Sequence, residues 1–398
     1  MKALALTAFT ATSAIGRGLA ATLESLRAAR SGLSRCAFET VVLDTWIGEV
    51  PGVDAAPLPQ SLTKVFDCRN NRLAWLALAQ DGVAEAVARS AARYGPERIG
   101  VFLGTSTSGI LETELAYRRR EPATGALPAD FRYRGAHNTY SLAAFTRQAL
   151  NLAGPAVVIS SACSSSAKAF ASAQRAIAAR LVDAALVGGV DSLCLTTLYG
   201  FHSLQLVSRT PCRPFDVSRD GISIGEGAAF ALLERPSASL DADAVLLLGT
   251  GESSDAYHMS SPPPDGRGAR EAMRLALESA GLAASDIGYI NFHGTGTPSN
   301  DAAEACAVAA VLGGGIPGSS TKGATGHTLG AAGALEAVIC ALALRHGLMP
   351  AGVNTTQLDP LLAVHYLREN RNAHLSRVMT NSFGFGGSNC SLILGRAG

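Results

Sequence analysis

Short apolar runs of strand length alternate along this chain with Ala- and Leu-rich stretches of helical length. Leu4–Phe9, Ile99–Leu103, Pro155–Ser161 and Leu181–Val187 read as buried strands, as do Ala244–Leu248 and Ile287–Phe292. Between them, Leu19–Arg30, Arg72–Arg93, Leu142–Leu152, Ser164–Arg180, Gly268–Ala280, Asp301–Val311 and Gly330–Arg345 carry helical patterns. Residues 31–62 are punctuated by Pro and Gly, and Glu112–Ala136 is charged and irregular, which predicts a surface excursion. Strands alternating with helices predict βαβ units and mostly parallel sheets in an α/β fold.

The pattern runs twice. A helix, then Ile-Gly, then a strand ending Gly-Thr occurs at 83–105 and again at 270–295. Strand, small-residue turn and Ala-rich helix occur at 155–180 and at 317–345. Each half closes on a Gly-flanked strand of small residues, GEGAAFALLE at 225–234 and GGSNCSLIL at 386–394. These repeats predict two similar halves, 1–235 and 236–398, whose loops meet at one seam.

Composition narrows the class. With 398 residues, 47% hydrophobic and 16% charged, the chain has apolar residues enough for a large core. The net charge of +1 gives no global pull toward nucleic acid or an acidic membrane, so an acidic partner has to meet a local basic patch. The eight cysteines form no CxxC pair and read as reduced, cytoplasmic thiols. No apolar run approaches the ~20 residues of a membrane span. The apolar start at Met1–Gly18 is interrupted by Thr7, Thr10, Thr12 and Ser13, which favours a core strand over a leader.

Candidate chemistry sits at the strand ends. Cys163 lies where a buried strand hands over to a helix, with Ser164–Ser166 placed to cap the first turn. Helix-terminal N–H groups favour an anion there and a more acidic thiol; the plain alternative is a buried small hydrophobe. His293 stands in NFHGTGTPSNDAAE, with hydroxyls on Thr295 and Thr297. His327 stands in STKGATGHTLGAAGALE, where Lys322 and Glu336 are the only charges and read as a buried pair. The fourth loop, Asn381–Asn389, carries Phe383 and Phe385 between glycines. One thiol and two imidazoles at a common seam suit acyl transfer from a thioester, with N–H groups for the oxyanion. HExxH, clustered Cys/His metal spacing, GxSxG and phosphate-loop motifs do not occur, so no metal is expected.

These four loops together, with Arg213-Pro-Phe-Asp, Arg219-Asp-Gly and Gly225-Glu-Gly, resemble the β-ketoacyl-acyl carrier protein synthases, elongating condensing enzymes of the thiolase superfamily. Matching pieces run from the first strand to Leu394. The resemblance implies a thiolase-like duplicated αβαβα five-layer fold and decarboxylative Claisen condensation of malonyl-ACP with a Cys-bound acyl chain, in fatty-acid, polyketide or aryl-polyene elongation. It implies that Cys163 is the nucleophile, that His293 and His327 hold the malonyl thioester and its enolate, and that Lys322 paired with Glu336 orders the site. It gives the oxyanion hole to the N–H groups of Cys163 and Phe385, a gate to Phe385 with Phe383 in the same loop, and the phosphopantetheine arm to Thr295 and Thr297. No dissociable cofactor is implied. The partners implied are the acyl carrier protein and a second copy of the chain, or a chain-length-factor-like subunit in a heterodimer. For docking the acidic carrier protein the resemblance points to Lys64, Arg69 and Arg209; Arg118–Arg120 is a second basic group.

The chain departs from the housekeeping pattern at Ser164–Ser166 and Lys168. Thr107, where a bulkier apolar residue is common, points to a longer or unusual acyl chain. Two other readings compete. A non-catalytic chain-length partner of the same fold usually lacks the nucleophile that this chain retains. Thiolases and initiating synthases resemble Cys-His-Asn or Cys-His-Cys sets, whereas the Lys…GHxxGAAG stretch favours two histidines.

Overall fold

A computed structural model describes residues 2–238 and 240–397 of the chain; Met1, Ser239 and Gly398, which fall within the two expected halves, lie outside the described residues. The frame is one mixed sheet. Its strands in chain order are β1 (Leu4–Ser13), β2 (Ile99–Gly104), β3 (Ala156–Ile159), β4 (Ala184–Asp191), β5 (Gly227–Glu234), β6 (Val245–Ser254), β7 (Tyr289–Asn291), β8 (Pro317–Ser319), β9 (His365–Tyr366), β10 (Arg377–Gly384) and β11 (Ser388–Arg396). Across the sheet they run β9-β8-β7-β10-β11-β6-β1-β5-β4-β2-β3. With β9 set aside as an extra strand on the outer edge of the second half, each half repeats one spatial order: third strand, second, fourth, fifth, first. The halves join where β1 meets β6 antiparallel, Leu4 opposite Leu247 and Ala5 opposite Leu246.

The expectation of mostly parallel pairing is corrected. Within this sheet, pairing among the described residues is parallel only toward the outer strands: β2 with β3 and β4, β7 with β8 and β10, and β8 with β9. The closing strands β5 and β11 run antiparallel to their neighbours. β11 follows β10 after only residues 385–387, too short a connection for a crossover, so it returns antiparallel.

The helices used below are α1 (Arg69–Leu78), α2 (Val83–Tyr94), α3 (Ile110–Arg118), α4 (Ser165–Ala178), α5 (Leu195–Ser203), α6 (Arg267–Ala280), α7 (Pro298–Leu312), α8 (Lys322–Thr325) and α9 (Ala332–His346). α4 and α9 touch each other and strands of both half-sheets, while α1 and α2 cover one half-sheet from outside and α6 with α7 covers the other. The order is helix, sheet, helix, sheet, helix. α9 is buried from Ala332 to Leu344 because small residues let it lie close to α4. A Cβ on Gly333 would stand 2.7 Å from both Cβ and N of Ala167, so only glycine fits there. Leu329–His346 is also the one stretch among the described residues long and apolar enough to cross a membrane, and 89% of it is buried inside the protein.

Two sequence expectations shift. The helix pattern at Arg72–Arg93 divides into α1 and α2, because Asp81, at φ +55°, accepts the Thr10 hydroxyl at 2.7 Å and the Leu19 N–H at 2.9 Å. The irregular segment 112–136 begins inside α3 and ends in a single π-helical turn, Tyr133–His137.

Candidate functional site

Cys163 sits two residues before α4, just past the end of β3, and is 5% exposed. The turn that carries it is strained: Ala162 adopts φ +52°, a region non-glycine residues seldom enter. The serines do not cap their own helix. Ser164 Oγ donates to the Ser161 carbonyl at 2.9 Å and Ser165 Oγ to the Ala162 carbonyl at 2.5 Å, bracing the strained turn. Ser166 Oγ accepts the Ala334 N–H at 2.9 Å and so serves the first turn of α9 instead.

The two histidines arrive from the other half. His293 follows β7 and His327 lies between α8 and α9, both at most 2% exposed. Their rings meet edge-on with centroids 5.3 Å apart, and His327 Nε2 is 3.1 Å from Cys163 Sγ. His327 is held through its backbone by the Arg213–Gly227 segment: its N–H donates to the Ser223 carbonyl at 2.7 Å, and its carbonyl accepts the Gly225 N–H at 3.0 Å. His293 is held by carboxylates of α7. Glu304 accepts the N–H groups of His293 and Gly294 at 2.8 and 2.7 Å, and Asp301 accepts those of Thr295 and Gly296 at 3.0 and 3.2 Å. Burial lifts the Glu304 carboxyl to about 7.

Lys322 and Glu336 form the buried pair expected, 1% and 3% exposed, in direct contact. The Lys322 ammonium also donates to the His293 carbonyl at 2.6 Å and faces His293 Nδ1 at 3.4 Å. Burial raises the Glu336 carboxyl and the neighbouring ammonium pulls it back. Both imidazoles are held well below their ordinary value, first by burial and then by the Lys322 charge, so both are neutral at pH 7.

The tautomers follow from the donors. An ammonium only donates, so Nδ1 of His293 accepts and its proton sits on Nε2. The Leu329 N–H donates to Nδ1 of His327 at 3.2 Å, which likewise leaves the hydrogen on Nε2, facing the sulfur. Cys163 Sγ and one nitrogen of each histidine lie within 4.8 Å of one another, a spacing a metal could use. Nδ1 of each ring is committed as an acceptor, however, so the facing nitrogens present hydrogens rather than lone pairs. The trio is built to receive an oxygen carrying negative charge, not to ligate a cation.

The thiol differs from its sequence expectation. Burial pushes Cys163 up to about 11, outweighing the Lys322 charge and the N–H groups of Phe385 and of Cys163 itself that point to the sulfur. The resting sulfur is protonated. Those two N–H groups are the pair to which the resemblance gives an oxyanion.

A cavity opens above these groups. Cys163, His293 and His327 line its floor, Thr295 and Thr297 one wall, and Phe383–Gly387 another. The two threonine hydroxyls lie 2.9 Å apart. Phe383 packs 5.8 Å from His293, and half-buried Phe385 packs against Phe201 at 5.5 Å. Sequence reasoning missed the loop at the mouth, Asp255 to Pro262. It touches the Phe385 loop directly: Asp255 N–H donates to the Gly387 carbonyl, Asn389 Nδ2 to Asp255 Oδ1, and Gly386 N–H to the Met259 carbonyl. The signal available was Asp-Ala-Tyr-His at the end of a strand, a polar cluster left unread.

Two other site expectations change. Arg69 is 1% exposed and turned inward, bonded to Glu226 at 2.7 Å and Asp54 at 2.6 Å, so it has no charge to offer a docking partner. Lys64 and Arg209 are exposed. Arg118 and Arg119 are exposed but engaged, with Thr40 and Asp130. Thr107 is buried with its hydroxyl on Asp191 at 2.8 Å and does not line the cavity.

Comparison with known proteins agrees with this geometry. The beta-ketoacyl synthase N-terminal domain matches residues 67–239 and the C-terminal domain residues 244–356. The 3-oxoacyl-[acyl-carrier-protein] synthase 2 of Rhizobium meliloti (strain 1021) is 40% identical over 265 residues, 62% of each chain. Nodulation protein E of Rhizobium meliloti is 35% identical over 74% of this chain and 75% of its own. The chain spans 56% of the mitochondrial 3-oxoacyl-[acyl-carrier-protein] synthase of Arabidopsis thaliana, at 39% identity over 60% of its own length. Among solved structures, a chain from the Xenorhabdus doucetiae complex of a ketosynthase with its chain length factor superposes with a TM-score of 0.90 and 38% identity, covering 100% of this chain and 98% of that one. A beta-ketoacyl synthase from Burkholderia phymatum STM815 gives 0.85 and 31% over the full length of both. The chain belongs to the β-ketoacyl synthase family and has its thiolase-like fold.

Proposed function

We propose that this member of the β-ketoacyl synthase family catalyses decarboxylative Claisen condensation between an acyl group on Cys163 and a malonyl thioester carried on phosphopantetheine. The observation that carries the reading is one sulfur and two neutral imidazoles, each presenting Nε2–H, at the floor of a single open cavity.

In the first step Cys163 Sγ attacks the acyl thioester carbonyl, the pantetheine sulfur leaves, and the thiol proton goes with it. The N–H groups of Cys163 and Phe385, which already face the sulfur, receive the oxyanion. In the second step malonyl thioester enters, with Thr295 and Thr297 along the arm and its carbonyl oxygen between the two Nε2–H groups. The bond to the carboxylate breaks, carbon dioxide departs, and the electron pair becomes an enolate whose oxygen those hydrogens stabilise. The enolate carbon attacks the acyl-cysteine carbonyl and the sulfur leaves, releasing a β-ketoacyl thioester. Lys322 keeps His293 in the required tautomer and Glu336 balances its charge. Phe385, packed against Phe201, gates the acyl compartment.

The substrates are carried by an acyl carrier protein, and the exposed cations Lys64 and Arg209 belong to its landing surface. The partner subunit is a second copy or a chain-length-factor-like protein. Complexes of the latter kind among the structural relatives support it, as does β3, an edge strand with Val157 39% exposed. The test is an assay of malonyl-carrier decarboxylation and of condensation by the purified chain, then by Cys163→Ala. The expected result is loss of condensation with decarboxylation retained. Condensation that survives the substitution refutes the reading. Activity that needs a second, different subunit assigns the heterodimer.

A further inference from the structure

Asp191 ends β4 beside the nucleophile and is used by none of the steps above. It is fully buried, yet five donors converge on it. Oδ1 accepts the N–H groups of Ser106 and Thr107 at 2.7 and 2.8 Å and the hydroxyls of Thr105 and Thr107 at 2.7 and 2.8 Å. Oδ2 accepts the Gly330 N–H at 2.5 Å.

Two of these donors lead straight to reacting groups. Ser106 Oγ reaches the carbonyl of Ala162, the strained residue that presents Cys163, at 3.4 Å. Gly330 follows Leu329, a non-glycine residue at φ +50°, whose N–H is the one that sets the His327 tautomer. A Cβ on Gly330 would lie 2.7 to 2.9 Å from Ser106 and Asp191, so the two turns meet with room for hydrogen alone. We infer that Asp191 is a positioning residue: one buried carboxylate pegs the turn that presents Cys163 to the turn that presents His327, and holds Leu329 N–H on Nδ1 of His327. The assignment deepens the condensing-enzyme reading and rests on it. A carboxylate suits the place because it only accepts; an amide would set an NH2 against one of the converging N–H groups. Its negative charge also acts on the nearby thiol, raising it against the pull of Lys322.

The test is Asp191→Asn in the full chain, with two readouts that need no substrate. One is the pH midpoint of Cys163 alkylation by iodoacetamide; the other is the 15N signature of His327. Loss of the negative charge moves the alkylation midpoint down. The wild-type ring shows the single Nε2–H tautomer and the variant a mixture. Condensation falls about 10- to 100-fold, the size of loss known for outer groups that orient metal ligands, and Asp191→Glu recovers part of it. A folded Asp191→Asn protein with both readouts unchanged overturns the inference, whatever its activity. Should that variant not fold, Thr105→Val, which removes one donor from Oδ1 but keeps the charge, shifts the His327 15N signature toward a mixture by less, and no shift there overturns it equally. A wild-type chain that failed to condense at all would sink the functional reading while leaving these two readouts to decide Asp191.

Discussion

The two halves place their third strand and central helix alike, yet the turn between them differs. In the first half β3 passes to α4 within a few residues, and the turn bends through Ala162 at positive φ to present one sulfur. In the second half the passage from β8 to α9 is stretched over 320–331, room enough for Lys322, the short helix α8 and His327. The loops after the second strands diverge in the same way. Residues 105–107 turn their donors onto Asp191, whereas 293–296 present an imidazole and lean on Asp301 and Glu304. Repetition supplies the frame and the seam; chemistry arises where the copies stopped being alike. The short turn can only aim one atom, and the long one can build an ion pair behind a ring.

The contrast is broken most severely on the long side. Lys322→Met or Glu336→Ala alone leaves a buried charge uncompensated and costs about 3–5 kcal/mol of stability. The double replacement costs less than the sum, read by denaturant unfolding of the four proteins as a cycle. Additive losses would mean the pair is not coupled. Next comes the contact between the two central helices. Gly333→Ala forces a methyl onto Ala167 and costs about 1–3 kcal/mol, whereas Gly200→Ala, with open space around it and no positive φ, leaves the core untouched.

On the short side the prediction concerns a proton. The Cys163 thiol sits near 11, so iodoacetamide alkylation rises with pH far beyond the range of an ordinary thiol, about 8.5. Lys322→Met removes the charge that pulls the thiol down, so the midpoint moves up. A midpoint near 8.5 in the native protein would contradict the burial argument. The smallest effect is expected at the surface. Lys64→Glu and Arg209→Glu lower carrier-protein turnover several-fold at low salt and flatten its salt dependence. Unchanged kinetics would move the docking surface elsewhere, and buried Arg69 is excluded from it already.

Much of this was legible in the chain itself. Cys163 at a strand end, the two histidine loops and the isolated Lys322 and Glu336 all stood out because their neighbours are small and apolar, so a polar residue there has to be used. The doubling was visible because Gly and Ala patterns recur with the strands they flank. Three things were not legible. Asp191 reads as an ordinary strand-ending acid, since its donors come from 105–107 and 330 and no local pattern links them. The cap that Ser166 gives to α9 lies across the seam, while serines beside a helix start suggest their own helix. The thiol's rise is set by how deeply the turn is buried, and helix-start chemistry argues the opposite sign. Charge counting also failed for Arg69, whose direction depends on Glu226 in another strand region. Contacts between distant segments decide all four.

The most direct test is the mass of Cys163 after the chain is offered a mixed pool of acyl-carrier thioesters. The account predicts an acyl adduct confined to the peptide that contains Cys163, which disappears when malonyl-carrier protein is added and reappears as β-ketoacyl product. No adduct, or an adduct on another of the eight cysteines that malonyl-carrier protein does not discharge, would contradict it.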